Sequence, residues 1–204
     1  MCDFSSCLFD VAMKPLEALR LTERRRQLLS SASGRVLEVG AGTGANLPYF
    51  RYEHIADLTL TDAEVRARLQ HRVRWTAEAA GLHPARLSVR EAPAEQLPFE
   101  DASFDCVVAT LVFCTVADQQ AGLTEVRRVL KPGGALLFME HVRPPRAVPA
   151  KLFAVLNPAW GLVSGGCNLT RDTLAALRQV GLPPRLYGTF GGGIFTYGIA
   201  PKAA

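Results

Sequence analysis

Short apolar segments alternate with amphipathic segments along most of the chain. Residues 63–80 and about 117–129 have helical composition, and the turn Lys131-Pro132-Gly133-Gly134 ends the second of these helices. Strands alternating with helices favour a parallel sheet that is covered by helices on both faces. The apolar segments that predict β-strands are residues 35–39, 58–61, 86–90, 104–110 and 135–139.

The two ends of the chain and one internal segment follow other patterns. Residues 1–33 read as helical, and residues 186–199 predict a β-hairpin around three consecutive glycines. Residues 143–172 contain several prolines, Trp160 and many large apolar side chains. This segment is too long and too apolar for an ordinary connection, so it predicts a cap with a short helix of its own. Because it follows the fifth strand, it begins at the ligand-binding edge of the sheet, and we expect it to cover a substrate.

A glycine-rich turn follows the first predicted strand, in Glu38-Val39-Gly40-Ala41-Gly42-Thr43-Gly44. Glycine permits backbone dihedral angles that other residues avoid and lets a ligand approach the main chain closely. At the carboxyl end of the first strand of an α/β sheet, such a turn holds a nucleoside-containing cofactor. The turn also predicts the start of a helix, with Asn46 as its N-cap and Pro48 in its first turn.

The glycine spacing fits two kinds of cofactor. Gly40, Gly42 and Ala45 satisfy the pattern G-x-G-x-x-A, which also occurs in nicotinamide enzymes. Glu38 favours S-adenosylmethionine, because a carboxylate at the end of a buried strand needs a hydrogen-bonded or cationic partner. S-adenosylmethionine carries an ammonium and a sulfonium, whereas a dinucleotide pyrophosphate would be repelled. Asp62 lies 22 positions after Gly40 (62 − 40), where an acid binds ribose hydroxyls; a helix N-cap is its alternative role.

Four motifs, in order, resemble those of class I S-adenosylmethionine-dependent methyltransferases, and the likeness spans residues 34–141. The motifs are Glu38-Val39-Gly40-Ala41-Gly42-Thr43-Gly44, Leu97-Pro98-Phe99, Ser103-Phe104-Asp105 and Glu125-Val126-Arg127-Arg128-Val129-Leu130-Lys131-Pro132-Gly133-Gly134. The resemblance implies one methyltransferase domain over residues 1–204. Its fold class is α/β, with a Rossmann-like, seven-stranded, mostly parallel sheet that has one antiparallel strand and helices on both faces.

A finer likeness points to one branch of these enzymes. It resembles the group that includes animal alkyl-thiol methyltransferases and many bacterial proteins, and similarity to phospholipid and quinone methyltransferases is less detailed. The finer likeness rests on Cys114, Met139-Glu140-His141-Val142, Pro158, Trp160 and Gly166-Cys167-Asn168-Leu169-Thr170-Arg171-Asp172-Thr173.

The resemblance also implies site residues. Residues 1–33 would form a lid, with Phe9, Asp10 and Met13 close to the methyl donor; an amphipathic helix that lies against the domain is the alternative. Ala94 and Glu95 would line the adenine, although an ordinary surface loop is their alternative. The residues expected to bind the cofactor are Glu38, Gly40, Ala41, Gly42, Gly44, Asn46, Asp62, Ala63, Ala94, Glu95, Thr110, Leu111 and Val112.

Fewer residues point to the acceptor. Phe113 and Cys114 follow the fourth strand and should face the substrate; core packing is the alternative for Cys114. Trp160 either walls the acceptor pocket or packs the cap onto the sheet. His141 is the best candidate for a general base, because its unperturbed pKa suits proton removal near neutrality, and a structural role is its alternative.

Composition and charge add constraints. The chain has 204 residues, the size of one ordinary domain. Its net charge of +4 either helps an acidic substrate or an anionic lipid surface approach, or only reflects basic side chains on a solvated surface. Five cysteines without a C-x-x-C pair predict no metal site, no disulfides and a reducing compartment. Neither a signal-peptide pattern nor an apolar stretch of about 18 residues is present in the sequence. We therefore expect a cytoplasmic protein whose membrane contact is peripheral at most.

Two other classes of protein are alternatives. An NAD(P)-dependent oxidoreductase would be expected to carry Tyr-x-x-x-Lys, but the residues four positions after the tyrosines are Glu53, Ala56, Gly191 and Pro201. A non-catalytic methyltransferase-fold binding protein would not need the intact glycine and acid positions. No basic-aromatic patch suggests a nucleic-acid partner. The sequence thus predicts methyl transfer from S-adenosylmethionine to a small, fairly apolar acceptor: a thiol first, with a phospholipid amine or quinone hydroxyl behind it.

Overall fold

The computed structural model describes residues 21–144, 146–163 and 166–204. Seven strands form one sheet in it: β1 (Gly34–Val39), β2 (Ile55–Asp62), β3 (Leu87–Glu91), β4 (Phe104–Thr110), β5 (Leu130–His141), β6 (Arg185–Phe190) and β7 (Phe195–Pro201). Their order across the sheet is β3-β2-β1-β4-β5-β7-β6. Strands β1 to β5 pair in parallel, and β7 runs antiparallel to both of its neighbours. The predicted Rossmann-like sheet with one antiparallel strand is confirmed, as is the hairpin.

In the described part of the chain, five α-helices accompany the sheet: α1 (Thr22–Leu29), α2 (Ala67–Ala79), α3 (Gln119–Val129), α4 (Ala147–Val163) and α5 (Thr173–Gln179). Successive residues of a strand point to opposite faces of its sheet. Accordingly, Val36 belongs to a core cluster that also contains residues of α1 and α2, whereas its neighbour Leu37 belongs to a second cluster with residues of α3 and α5. Helices therefore cover both faces, and both faces of the central strands are buried, as expected for a parallel sheet.

The pairing of the central strands brings the predicted site together. Val39, the last residue of β1, lies between Thr61 of β2 and Ala109 of β4. The residues that follow these three positions, the glycine turn, Asp62 and Thr110, therefore meet at the carboxyl edge of the sheet. This edge is where open α/β sheets bind their ligands.

Helix α2 begins at Ala67, later than the predicted residue 63. The N–H of Glu64 donates to the Asp62 carboxylate at 3.1 Å, and the N–H of Val65 donates to Glu91 at 3.0 Å. These two side chains hold the intervening segment outside the helix. A side-chain acceptor from a neighbouring strand thus sets the boundary, and local helix propensity does not show it.

Two other elements differ from their predicted forms. The Lys131-Pro132-Gly133-Gly134 segment is part of β5, at a register shift against β4, and α3 ends just before it at Val129. The short helix expected within residues 143–172 is α4, which is 17 residues long and contains Pro158.

The predicted lid is described only in part. Its described portion, α1, buries Leu28 and Leu29 in the core on one face of the sheet. Phe9, Asp10 and Met13 lie outside the described residues, as do residues 164 and 165 of the predicted cap.

Within the described ranges, no helix combines the length and the apolar character needed to cross a membrane.

Candidate active site

The glycine turn leaves β1 with a backbone that favours glycine. Gly40 has φ of +66° and Gly42 has φ of +55°. A Cβ at Gly40 would lie 2.5 Å from Cγ2 of Val112, so a larger residue would collide with the segment after β4. A Cβ at Gly42 would meet no described atom within 4 Å. The main chain at Gly42 therefore borders open space, as expected where a ligand approaches it.

Glu38 is a buried acid whose carboxylate is only partly satisfied. Its side chain is 2% exposed, and its Oε1 accepts a hydrogen bond from Asn46 Nδ2 at 2.8 Å. Its Oε2 is also buried and has no hydrogen-bond partner among the described residues. Burial raises the pKa of Glu38 to about 7, although the hydrogen bond from Asn46 and the charge of Arg25 oppose this shift. A buried acceptor without a partner costs free energy, so this oxygen fits a ligand that brings a cationic donor.

Asn46 takes the predicted N-cap position, with Pro48 in the first turn that follows, but its side chain makes no capping hydrogen bond. Only a short 3-10 turn, Leu47–Tyr49, follows it. Instead, Nδ2 donates to Glu38 and also to Thr110 Oγ1 at 2.9 Å, while Oδ1 accepts from Arg25 at 3.3 Å. The buried Asn46 side chain therefore links the end of β1 to the end of β4, and Arg25 of α1 binds its oxygen.

Asp62 lies on the other side of the glycine turn. Its Oδ2 accepts the Gly42 N–H at 2.7 Å, and its Oδ1 accepts the Glu64 N–H at 3.1 Å. It is not the N-cap of α2, which begins at Ala67. The charge of Asp62 adds to the rise in the pKa of Glu38, after the larger effect of burial. Ala63, next in the chain, is exposed.

The loop after β3 carries the two residues expected at the adenine. Ala94 is buried in the core cluster that faces α3. Glu95 is half-buried, and its Oε1 accepts the N–H of Asp118, which precedes α3, at 3.2 Å. One oxygen of Glu95 is therefore engaged by the main chain.

The segment after β4 turns sharply at Leu111. This residue has φ of +60°, in the left-handed region that costs an L-residue roughly 1–2 kcal/mol. Its N–H donates to the Met139 carbonyl at 2.7 Å. The turn directs the N–H groups of the next residues toward β5, where the Glu140 carboxylate accepts them.

Glu140 is a functional candidate that the sequence reasoning missed. Its carboxylate accepts the N–H groups of Val112 at 3.0 Å, Phe113 at 3.1 Å and Cys114 at 3.3 Å. The side chain is fully buried, and burial raises its pKa to about 8 against the effect of these three donors. The sequence feature that marks Glu140 is an acid at the end of a buried strand, the same kind of feature that marks Glu38. Glu140 thus fixes the main chain that is expected to face the methyl donor.

The predicted acceptor residues fall into two environments. Phe113 is fully buried in the core beneath α3, so its side chain packs there, away from open space. Cys114 is buried beside Cys167, and its Sγ lies 3.6 Å from Thr115 Oγ1. Trp160 lies on α4 and is 40% exposed.

His141 lies against α4, the helix of the segment that is expected to form the cap. Its ring stacks on Phe153 of α4 with centroids 6.1 Å apart and meets the edge of Phe195 at 5.3 Å. Burial lowers the pKa of His141, so the imidazole is neutral at pH 7. Its Nδ1 is buried and has no hydrogen-bond partner among the described residues. A neutral imidazole can accept a proton, which both predicted roles allow.

An open groove of about 550 Å³ lies elsewhere, between α3 and α5. Its lining includes Gln119, Arg171 and Ala175. The glycine turn, Glu38 and Asp62 stand apart from it, so this groove does not coincide with the predicted donor site.

Residues 37–138 match the family described as "Methyltransferase domain". The chain belongs to this family. The match covers the glycine turn, Asp62 and the segment after β4, the same residues that the strand ends bring together. The methyltransferase thus has the predicted enzyme class, an S-adenosylmethionine-dependent methyltransferase, and nothing supports the oxidoreductase alternative.

Known proteins place the methyltransferase more closely. It is 37% identical over 171 residues to "Thiol S-methyltransferase TMT1B" of Homo sapiens, across 79% of this chain and 68% of that protein. It is 29% identical over 175 residues to "Phosphatidylethanolamine N-methyltransferase" of Cereibacter sphaeroides, across 83% of this chain and 80% of that one. The sequence resemblance to thiol and phospholipid methyltransferases is therefore confirmed.

A solved structure agrees in fold. An S-adenosylmethionine dependent methyltransferase from Mesorhizobium loti superposes with a TM-score of 0.67 at 17% identity, over 88% of this chain and 96% of that chain. At this identity the likeness shows the fold alone.

Proposed function

We propose that this methyltransferase binds S-adenosylmethionine at the glycine turn and transfers its methyl group to the sulfur of a small, fairly apolar thiol. The observation that carries the donor half is the buried Oε2 of Glu38, which lacks a hydrogen-bond partner among the described residues, close to the open main chain at Gly42. A ligand with an ammonium group satisfies this oxygen. A pyrophosphate would place negative charge beside two carboxylates.

Each neighbouring residue has a role in holding the donor. Glu38 binds the ammonium of the methionine moiety, and Asn46 keeps the Glu38 carboxylate in place through its 2.8 Å hydrogen bond. Asp62 accepts hydrogen bonds from the ribose hydroxyls while it holds Gly42, since a carboxylate has more acceptor sites than the two amides use. Further residues contact the donor in three places. These are Gly40, Ala41, Gly44 and Ala63 at the turn and ribose, Ala94 and Glu95 at the adenine, and Thr110, Leu111 and Val112 at the methionine moiety.

The reaction needs alignment more than activation. S-adenosylmethionine supplies an already activated methyl group on its sulfonium. The protein has to hold the acceptor sulfur in line with that bond and exclude water. The main chain from Val112 to Cys114, fixed by Glu140, provides a rigid wall on the acceptor side.

His141 removes the proton of the acceptor thiol. Its ring is neutral because burial lowers its pKa, so it is ready to accept a proton at pH 7. Its position between Phe153 of the cap and Phe195 of β7 gives the acceptor an apolar surrounding. An apolar site destabilises a charged thiolate relative to water, so His141 would take the proton as the sulfur attacks the methyl group, and no free thiolate would build up.

Helix α4 brings the acceptor site to the edge of an anionic membrane on its cytoplasmic side. Leu152, Val155, Leu156 and Trp160 share one helix face by their spacing, and all are exposed, Val155 to 77%. Lys151, next to Leu152 on the helix, is exposed, as are Arg143 and Arg146, which precede the helix in the chain. From His141 to Arg171 the sequence contains no acid. An apolar face flanked only by cations complements an anionic lipid surface, from which apolar thiols can enter.

The proposal is tested by offering one isotope-labelled donor to matched acceptors. The panel contains alkyl and aryl thiols, their alcohol and amine counterparts, and phosphatidylethanolamine vesicles. A labelled thioether is the expected product, and Glu38→Gln should lower donor affinity. Transfer to the amine or lipid but not to the thiol would overturn the acceptor assignment. Binding of NADH without binding of S-adenosylhomocysteine would overturn the donor assignment.

A further inference from the structure

A cavity of about 340 Å³ lies where the end of β5, the hairpin of β6 and β7, and helix α5 come together. The hairpin contributes Thr189, Gly193 and Thr196 to its lining, and α5 contributes Leu174 and Arg178. The volume falls within the range of small-molecule sites, roughly 300–1,000 Å³. We call this space the hairpin cavity.

Thr196 of β7 brings an unpaired hydroxyl to the hairpin cavity. The residue is 1% exposed, and its buried Oγ1 has no hydrogen-bond partner among the described residues. Thr189 lies directly opposite on β6, so the two side chains share one face of the hairpin. A buried hydroxyl without a partner costs free energy, so this group fits a ligand that accepts its hydrogen.

Two arginines, Arg143 and Arg178, also border the hairpin cavity. The N–H of Arg143 donates to the Arg171 carbonyl at 2.9 Å, which holds this part of the chain next to the start of α5. Arg178 lies in the last turn of the same helix. Within the described ranges, neither guanidinium group of the pair has a hydrogen bond or an ion pair. Both are therefore available to an oxyanion, which arginine can bind through two parallel N–H groups.

The remaining lining residues narrow the class of anion. Asp172 adds one negative charge, and its Oδ1 accepts the Ala175 N–H at 2.9 Å. Two arginines and one aspartate leave a net charge of +1 (2 − 1), which matches a carboxylate better than a phosphate dianion. Val142, Pro144 and Leu174 supply apolar walls for a short aliphatic group.

The hairpin cavity lies across the sheet from the predicted acceptor side. Phe195 meets the ring of His141, and Thr196 is the next residue along β7. Successive residues of a strand point to opposite faces, so the Thr196 hydroxyl points away from His141. In agreement with this, Leu174 packs against the core cluster on the α3 and α5 face, whereas Tyr197 belongs to the cluster on the other face.

We propose that the hairpin cavity is a binding site for a small aliphatic carboxylate. Arg143 and Arg178 bind the carboxylate group, and the Thr196 hydroxyl donates a hydrogen bond to it. The aliphatic part of the ligand lies against Val142 and Leu174. Such a ligand occupies neither the donor site nor the acceptor side, so the proposal goes beyond the proposed function.

Isovalerate and isovaleramide test the proposal, because they share one shape and differ in charge. Ligand-observed NMR on the full-length protein should show isovalerate binding at millimolar concentration, and isovaleramide binding more than about tenfold weaker. Inorganic phosphate should bind more weakly than isovalerate. Arg178→Gln should reduce the affinity for isovalerate. The matched control is Arg74→Gln, which changes an exposed arginine of α2 and should leave the affinity at its wild-type value.

Thr196→Val provides a readout that a purely structural hydroxyl would not give. Valine keeps nearly the same shape and removes the unpaired buried oxygen, so the stability to urea should be equal or higher. The same variant should nevertheless bind isovalerate more weakly. Saturation with S-adenosylhomocysteine should leave the affinity of the wild type for isovalerate unchanged.

Four results would overturn the proposal. They are the absence of isovalerate binding to the wild type, equal binding of isovalerate and isovaleramide, tighter binding of phosphate, and an unchanged affinity in Thr196→Val. Displacement of isovalerate by S-adenosylhomocysteine would place the anion in the donor site and would also overturn it. None of these results depends on whether the protein methylates a thiol.

Discussion

The carboxylate of Asp62 accepts the amide of Gly42 at 2.7 Å. A residue at the end of β2 therefore fixes the glycine turn that follows β1, and the two elements form one rigid edge. The other oxygen of Asp62 holds the Glu64 amide at 3.1 Å, which delays the start of α2. The acid thus shapes its surroundings before any ligand is bound.

Replacing Asp62 should separate these roles. Asp62→Ala removes both acceptors, and we expect it to weaken binding of S-adenosylhomocysteine by about 1–3 kcal/mol, the cost typical of lost hydrogen bonds to a charged group. Asp62→Asn keeps one oxygen for Gly42 and should lose less. Titration calorimetry on the three proteins measures the difference. Equal affinities for the wild type and the alanine variant would remove Asp62 from the donor site.

Gly40 and Gly42 provide a matched pair of substitutions. Both have positive φ, so alanine at either position strains the backbone by roughly 1–2 kcal/mol. Gly40→Ala also places its Cβ 2.5 Å from Val112, and overpacking adds about 1–3 kcal/mol of destabilisation. Gly42→Ala points into open space, so it should spare stability relative to Gly40→Ala and yet impair donor binding. Urea unfolding and calorimetry together test this contrast, and a Gly42→Ala protein that binds the donor normally would contradict it.

Donor binding should release a proton from Glu38. Burial holds its pKa at about 7, so near pH 7 the carboxyl is about half protonated before binding. An ammonium beside Oε2 favours the ionised form, and we expect about half a proton to be released per site at pH 7. Calorimetry in buffers of different ionisation enthalpy measures this number. Glu38→Gln should bind more weakly and release none, and a wild-type protein that releases none would refute the assignment.

Glu38 and Glu140 should also make the ligand-free protein less stable as the pH rises. Both have folded-state pKa values above the ordinary 4.5, about 7 for Glu38 and about 8 for Glu140, so the native state holds these protons more tightly than the unfolded state does. Their contribution is fully present below pH 4.5 and is lost as the pH rises through 7 and 8. Unfolding by urea at several pH values should show this decline, and Glu38→Gln should flatten its lower part. A wild-type stability that increases from pH 5 to about 8 would contradict the raised pKa values.

His141→Ala should reduce turnover and leave donor affinity nearly unchanged. The loss should shrink as the pH rises, because an acceptor thiol that ionises in solution no longer needs a base. The readout is kcat as a function of pH with one thiol. A loss that is constant with pH would indicate that His141 only packs between Phe153 and Phe195, and an unchanged rate would exclude it from the reaction.

Helix α4 should enter anionic membranes at Trp160. The chain has two tryptophans, and Trp75→Phe leaves Trp160 as the only one. Its emission should shift to shorter wavelength with phosphatidylglycerol vesicles, much less with phosphatidylcholine vesicles, and less at high salt. Val155→Glu should weaken vesicle binding.

The matched control for this experiment is Trp75, which is 61% exposed on α2 and far from α4 in the chain. Trp75→Ser should bind vesicles as the wild type does. Self-association that shields Trp160 without vesicles would show that a second copy of the chain covers this face. Either that result or equal binding of Val155→Glu would overturn the membrane assignment.

The sheet, its hairpin and the acids around the glycine turn could be predicted because their signals are local. A buried strand followed by glycines and an acid keeps its pattern whatever packs around it. The role of Asn46 could not be predicted, because its amide partners Glu38 and Thr110 lie on two different strands. The late start of α2 depends on Glu91 of β3 in the same way.

Glu140 shows a different limit. Its position after a buried strand was visible, but its partners come from a segment that only the left-handed turn at Leu111 directs toward it. A left-handed backbone at one residue does not change the hydrophobic pattern, because leucine also occurs in ordinary strands. The sequence therefore did not reveal how the segment after β4 is held.

The three amides gathered by Glu140 act as a clasp between β4 and β5. If α4 covers the acceptor as proposed, Glu140 holds the main chain beneath it in place independently of the side chains that α4 carries. Acceptor preference in such an enzyme can consequently drift through changes in α4, without retuning the machinery that handles the methyl donor. Redesign for new thiols should begin on that helix and leave Glu140 untouched.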